Sequence, residues 1–253
     1  MKILTFNFCL GYRSQKLRYI QLFFETVAYN YDILLLEEVW DVIFSFRKRS
    51  YLKRLLDIAK KHGFYNVSYK KRSFYQSCNN GLVILSKIPI QYSDTITYSK
   101  SCTFLSFVPT GFQHIQVTID YNKIDIFFTH IGATPFTPKK ENTLDQIRQL
   151  IDYVSTIKPA HWVIAGNFNI DAIGESLDYN YLATMINRHS LLKTINFPNT
   201  YPVSSNGRRT CVDHIFSNIS TYKIEVKEFA TLSNHAAVSL SLFFPNRLLH
   251  KVL

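Results

Sequence analysis

The sequence predicts an α+β fold, a four-layer α/β/β/α sandwich in which two mixed β-sheets pack face to face between outer helices. Strand-like runs recur along the whole chain, and most are bounded by Asn, Gly, Pro or Asp. Segments with helical spacing are few. The two kinds do not alternate strictly, which fits stacked sheets with helices outside better than a doubly wound parallel sheet. At 253 residues the chain can bury a sizeable core, and it shows no linker, repeat or low-complexity stretch. Residues 1–253 are therefore expected to form a single domain.

Lys2–Cys9 reads as the first strand. Ser14–Asn30 then spaces Leu17, Ile20, Phe24 and Val27 as a helix does. Asp32–Val39 is an apolar run and the second expected strand. Tyr51–His62 sets Leu52, Leu55, Leu56 and Ile58 at helical intervals, with Gly63 as its stop. Further strands are expected at Tyr65–Tyr69, Gly81–Leu85, Phe112–Asp120 and Lys123–Thr129. Leu144–Val154, carrying Ile147, Leu150 and Ile151, is the third helix. His161–Ala165, Cys211–Ser217, Lys223–Glu228 and Ala236–Phe244 complete the strands.

Hydrophobic residues make up 47% of the chain and aromatics 15%, a composition of packed rather than disordered proteins. Lys and Arg outnumber Asp and Glu by 29 to 18, a formal net charge of +11. That surplus suits an acidic partner such as nucleic acid, phosphoinositide or an anionic bilayer, and equally suits plain solubility. The basic residues are dispersed except for Arg47–Arg49, Lys70–Arg72 and Arg208–Arg209. Cys9, Cys78, Cys102 and Cys211 form no CxxC pair, which argues against a zinc site or a disulfide framework, while pairing of Cys78 with Cys102 stays open. Lys2–Asn7 is too short for a signal peptide. No apolar run approaches the roughly 20 residues that span a bilayer. A cytoplasmic protein is the expectation, with export by a signal-less route as the alternative, and no protein partner can be inferred.

Chemistry concentrates where apolar runs stop. Trp162–Ala165 ends on Gly166, Asn167, Phe168 and Asn169, and residues two apart on a strand face the same way. Asn7 ends the first strand; alone, it reads as a turn residue. Glu38 lies in the apolar run Leu34–Trp40, where an ionised carboxylate is costly unless paired or bound to metal. His130 closes Ile124–His130, and a lone histidine there is usually structural. Asp213 lies within Cys211–Phe216, a second in-strand acid, and Asn234 and His235 open the last strand. Singly, only Glu38 and Asp213 rise above ordinary structural explanations. Together, the order is hard to explain by structure alone.

That order resembles the endonuclease/exonuclease/phosphatase superfamily, whose fold is that of deoxyribonuclease I. The likeness runs from Lys2 to about Phe244. The family's first-strand Asn falls on Asn7, and its Leu-Gln-Glu-Val motif on Leu36-Glu37-Glu38-Val39. Its Thr-His falls on Thr129-His130 and its Gly-Asp-Phe-Asn on Gly166-Asn167-Phe168-Asn169. Its Asp-Tyr-Ile-Phe falls on Asp213-His214-Ile215-Phe216 and its Ser-Asp-His on Ser233-Asn234-His235. Asn80–Ile90, Thr129–Ala133 and Gln146–Leu150 are most similar to neutral sphingomyelinases.

The resemblance implies a Mg²⁺-dependent phosphodiesterase. Glu38 would be the principal metal ligand, with Asn7 adding an amide oxygen or orienting the phosphate. His235 would be general base or cationic stabiliser, and His130 would bond a phosphate oxygen or protonate the leaving group. Asn169 would donate to a non-bridging oxygen, and Asp213 would fix His130 or His235. Two departures weaken this set. Asn167 and Asn234 stand where relatives carry Asp, and an amide cannot take a proton at neutral pH. Loss of a general base costs about 10²- to 10⁴-fold, and loss of the second carboxylate leaves a metal or His235 less well held. The expected function is thus sphingomyelinase-like hydrolysis of a phosphodiester, impaired at these positions. A nuclease or other phosphoesterase on the same fold and a catalytically inactive phosphate-binding module are the alternatives. Expected partners are a phosphodiester substrate, either a sphingolipid headgroup or nucleic acid, and a peripheral membrane contact for which Tyr98–Phe112 is a candidate, although that segment reads more readily as an ordinary buried strand.

Overall fold

Successive side chains of a strand face opposite ways, and the first two strands bury both sets. In β1 (Lys2–Asn7), Ile3 enters one apolar cluster while Leu4 and Phe6 enter another. β2 (Ile33–Glu37) repeats the pattern, with Ile33 and Leu35 on the first side and Leu34 and Leu36 on the second. A sheet so patterned must be covered on both faces. The second cluster is closed by α1 (Lys16–Thr26), through Ile20, Phe23 and Phe24, and by α2 (Tyr51–Lys61), through Leu52, Leu55 and Ala59. A computed structural model describes residues 1–8, 16–40, 51–72, 78–99, 109–132, 140–174, 176–201, 209–229 and 232–244.

The remaining strands are β3 (Asn66–Tyr69), β4 (Val83–Ser86), β5 (Tyr92–Thr97), β6 (Gly111–Ile119), β7 (Asn122–His130), β8 (Trp162–Asn167), β9 (Asp213–Ser217), β10 (Tyr222–Glu228) and β11 (Ala236–Leu242). They form a six-stranded sheet, β10-β11-β1-β2-β4-β3, and a five-stranded sheet, β5-β6-β7-β8-β9. β1–β2 and β7–β8 are parallel and the other pairs antiparallel, so both sheets are mixed. The first cluster fills the space between the sheets, with Ile84, Val238 and Leu240 from one and Ile126, Phe128 and Ile215 from the other. It continues to α3 (Lys140–Ile157) and α4 (Ser176–Ile186), through Ile147, Leu150, Leu182 and Ala183. The expected α+β sandwich is the observed one.

Strand ends differ from expectation by a few residues, as hydrogen-bonding boundaries do. The first helix is shorter than Ser14–Asn30 and gives way to a 3₁₀ turn at Ala28–Asn30; residues 14 and 15, like Cys9, lie outside the described residues. One strand and one α-helix have no counterpart in the sequence reading. β5 is an edge strand, mostly exposed, with no apolar alternation to betray it. α4 buries Tyr179, Leu182, Ala183 and Ile186 at helical spacing, but Leu177 is 82% exposed on the opposite side and blurs the contrast between faces.

The two parallel pairs decide where function can sit. They bring the C-terminal ends of β1 and β2 side by side, Asn7 opposite Glu37, and those of β7 and β8 likewise, His130 opposite Asn167. Asp213, the first residue of β9, pairs with Asn167. Gly166 makes the β7–β8 approach possible: its φ is +136°, and a Cβ there would sit 1.8 Å from the Thr129 carbonyl oxygen. Only glycine tolerates both demands.

Candidate active site

Glu37 is the last residue of β2 and is fully buried. Its Oε1 accepts the Asn167 N–H at 3.0 Å, so one carboxyl group joins the two sheets. Its Oε2 accepts no hydrogen bond from the described residues and lies 3.4 Å from His130 Nδ1. Burial, then the charges of Asp213 and Glu38, hold Glu37 well above the ordinary carboxyl range, against the opposing Asn167 N–H. Burial therefore favours the protonated carboxyl relative to a free one.

The in-strand acid is thus Glu37, whereas the sequence placed Glu38 there. Glu38 leaves the strand in left-handed backbone, φ 56°, and this turn frees its side chain from the sheet. Its Oε1 accepts a hydrogen bond from Asn7 Nδ2 at 2.9 Å. A non-glycine residue in that conformation stores strain, and such residues gather at functional sites.

His130 ends β7 with its ring partly exposed. Burial lowers its pKa, nearby His235 adds to the lowering, and the charges of Glu38 and Asp213 oppose it. His130 is thus a neutral imidazole. His235 is different. It is buried, with Nδ1 3.2 Å from Asp213 Oδ1 and 3.0 Å from Oδ2. Burial lowers its pKa, but the charge and hydrogen bond of Asp213, with Glu38 behind them, outweigh burial and raise it overall. Of the two histidines left open for Asp213, the structure pairs it with His235.

Asn167 and Asn169 do share a wall, though not through strand periodicity. β8 stops at Asn167, and Asn169 lies beyond it at φ 51°. Asn167 Oδ1 accepts the Asn169 N–H at 2.8 Å, and Asn169 Nδ2 donates to the Ile131 carbonyl at 2.6 Å. A side-chain amide carries a second N–H, so Asn169 keeps a donor to offer.

Glu38, His130, Asn167, Asn169 and His235 line one cleft of about 440 Å³, together with Trp40, Asn80, Thr110 and Tyr201. Asn7 and Asp213 bond directly to residues of that wall. Asn234 does not reach it: the residue is exposed and lines a neighbouring cleft of about 280 Å³ with Glu228 and Phe229, joined to the first through Tyr201 and His235. Sequence reasoning passed over several wall residues. Trp40 is two positions beyond Glu38 and packs on Gly81, where a Cβ would approach its ring to 2.9 Å. Asn80 accepts the Leu82 N–H through Oδ1, while its buried Nδ2 donates to no partner among the described residues. Tyr201 sets its ring against His235, centroids 4.7 Å apart, and nothing in the sequence near it signals that role.

Among the described residues, no group of three or more His, Cys, Asp or Glu side chains is spaced to hold a metal ion. Asp213 is committed to His235 and Glu37 is buried with Oε1 on the Asn167 N–H, leaving Glu38 beside the Asn7 amide. One carboxylate with amide oxygens fits a hard cation that keeps most of its water, as Mg²⁺ does, and does not fit zinc. In the Tyr98–Phe112 segment, Tyr98 and Phe112 are buried, and Tyr98 Oη lies 2.7 Å from Thr129 Oγ1. Residues 100–108 lie outside the described residues, as do Arg47–Arg49, Cys102 and Arg208. Arg209 is exposed, with Nη2 3.5 Å from the Phe197 carbonyl.

Residues 4–235 match the model of the endonuclease/exonuclease/phosphatase family. No curated protein matches by sequence. Among solved structures, the chain is similar to an endonuclease/exonuclease/phosphatase family protein from Leptotrichia buccalis, 20% identical, with 96% of this chain and 100% of that one covered and a TM-score of 0.73. A double mutant of beta toxin from Staphylococcus aureus, with bound magnesium ions, is 15% identical over 96% of this chain and 99% of its own, TM-score 0.73. Sphingomyelinase C from Streptomyces griseocarneus is 16% identical over 95% and 98%, TM-score 0.71.

Proposed function

Because the chain belongs to the endonuclease/exonuclease/phosphatase family, we propose that it hydrolyses a phosphodiester with Mg²⁺ in the cleft between Glu38 and His235. The observation that carries this reading is the buried Asp213–His235 pair, facing a cleft that also presents Glu38, His130 and Asn169. The whole chain, residues 1–253, acts in this reading as one cytoplasmic domain. No described helix is long and apolar enough to cross a membrane.

Glu38 and Asn7 would hold the cation, which would polarise the phosphoryl oxygens and lower the pKa of a bound water. The protein's own steps follow from the hydrogen bonds. Asp213 keeps His235 Nδ1–H pointed at itself, leaving Nε2 as the working nitrogen. That nitrogen accepts a proton from the attacking water, and the Asp213 charge stabilises the resulting imidazolium. A positive ring there also offsets charge gathering on the phosphoryl group. His130, neutral and partly exposed, offers a hydrogen bond to a phosphate oxygen or to the departing oxygen. The second N–H of Asn169 points a donor at a non-bridging oxygen, and Asn167 holds the Asn169 backbone. Asn167 accepts no proton, so His235 carries general-base duty alone and turnover is low. Asn234, outside the cleft, acts on His235 only through the chain.

The substrate we favour is a sphingolipid phosphodiester, supported by fold likeness to sphingomyelinase C and by the segments around Asn80 and Gln146. A nuclease draws support from the +11 charge. A phosphate-binding module without turnover draws support from Asn167, an amide in the cleft wall where a base is expected. The deciding experiment compares hydrolysis of sphingomyelin vesicles with abasic and plain duplex DNA, at equal enzyme and saturating Mg²⁺. Faster release from sphingomyelin is expected. Faster DNA cleavage would transfer the reading to the nuclease, and binding of either without hydrolysis to the inactive module.

A further inference from the structure

We infer that Glu37 is the positioning residue for His130, holding the ring from below through the carboxyl oxygen that has no other partner among the described residues. The inference rests on the hydrolytic reading of the cleft. Glu37 is fully buried, and its Oε1 is occupied by the Asn167 N–H at 3.0 Å. That bond alone would need only an acceptor. The second oxygen is the unexplained part: it is buried, accepts no hydrogen bond from the described residues, and lies 3.4 Å from His130 Nδ1. A buried polar atom costs stability unless it is matched, so an oxygen left in that state beside a ring nitrogen marks a functional contact.

The geometry also says what the contact achieves. Nδ1 and Nε2 lie on opposite edges of an imidazole, so a ring with Nδ1 against Glu37 turns Nε2 away from the protein floor and toward the cleft that His130 lines. His130 is carried by β7, Glu37 by β2, and Asn167 by β8. One carboxyl group thus locks three strand ends from two sheets into a single bearing for the ring. A ring free to rotate about its own side-chain bonds would lose that bearing without any change in the fold.

The test compares wild type, Glu37→Gln and Glu37→Met with Mg²⁺ and bis(p-nitrophenyl) phosphate, alongside ¹⁵N resonances of the His130 ring identified by their absence in His130→Gln. Glu37→Met should lower kcat about tenfold, since small misplacements of a catalytic group are costly. KM should stay within about twofold, because substrate binding is not what is removed. Glu37→Gln, which keeps an acceptor for the Asn167 N–H and a polar atom against the ring, should recover most of that loss. The His130 Nδ1 resonance should move in both variants, because each changes the atom facing it. An Nδ1 resonance that stays put in Glu37→Gln overturns the inference, even if Glu37→Met fails to fold. Equal losses of kcat in the two variants would also overturn it. Absence of hydrolysis by the wild type would count against the hydrolytic reading instead, and the resonance would still decide the contact.

Discussion

His235 presents Nδ1 to both carboxylate oxygens of Asp213, at 3.2 and 3.0 Å, with 5% of each side chain exposed. The pair spans the two sheets, from the first residue of β9 to the residue before β11. It fixes the tautomer of His235 and raises its pKa.

Asp213→Asn should therefore lower kcat by about 10²- to 10⁴-fold, because the amide can leave the ring in the wrong tautomer. The steady-state rate on the preferred phosphodiester measures this. The stability sign follows from the raised pKa. His235 adds stability that is complete below its ordinary value of 6.5 and is lost as pH rises through the folded value. That pH-dependent component should vanish from thermal melts of Asp213→Asn.

Glu37 contributes with the same sign, from a lower pH. Its folded pKa lies well above the ordinary 4.5, so the unfolded chain ionises first and stability falls as pH rises from there. Glu37→Gln removes the titration and keeps the Asn167 bond. Its Tm should exceed that of the wild type at about pH 8 by more than it does at about pH 5. A gain independent of pH would show that the Glu37 pKa is not raised.

Chelation of divalent cations should abolish hydrolysis, and Mg²⁺ should restore it. Mg²⁺ at about 100 times its Kd should also stabilise the fold by about 2.7 kcal/mol. Glu38→Gln should lose most of that thermal shift, since it removes the cleft's available carboxylate while leaving an acceptor for Asn7.

Asn167→Asp with Asn234→Asp should raise turnover about tenfold, the low end of what a general base supplies. The two changes differ in cost. Asn234 is exposed, whereas Asn167 is 2% exposed and paired with Asp213 across the β8–β9 ladder. Asn167→Asp should therefore lower Tm at neutral pH while Asn234→Asp does not. Calorimetry of the single variants separates them.

Gly166→Ala should unfold or badly destabilise the protein, by about 3 kcal/mol or more. The added methyl would meet the Thr129 carbonyl at 1.8 Å in a backbone conformation alanine resists. Denaturant midpoints would show it. A loss under about 1 kcal/mol would mean the β7–β8 ladder can open without penalty.

Much of the architecture is legible in single-residue chemistry. The runs Lys2–Cys9 and Asp32–Val39 announce the first two strands, and helical spacing of Leu52, Leu55 and Ile58 announces α2. What alternation cannot see is a strand without an apolar face, which is why β5 escapes, or a helix with apolar residues on both sides, as α4 has in Leu177.

The site divides in the same way. In the sequence, Glu38 and Asp213 stand out singly, because a carboxylate inside an apolar run needs a partner, and Asn7, His130, Asn169 and His235 join them through the order along the chain that resembles the family. Tertiary structure alone assigns those partners. It gives Asp213 to His235, turns Glu38 out of its strand and puts Glu37 beneath His130. It also sends Asn234 to a neighbouring cleft. The physical reason is range: propensity and periodicity act over a few neighbouring residues, whereas the Glu37–Asn167 bond joins positions 130 residues apart. Such a bond exists only after two sheets have packed.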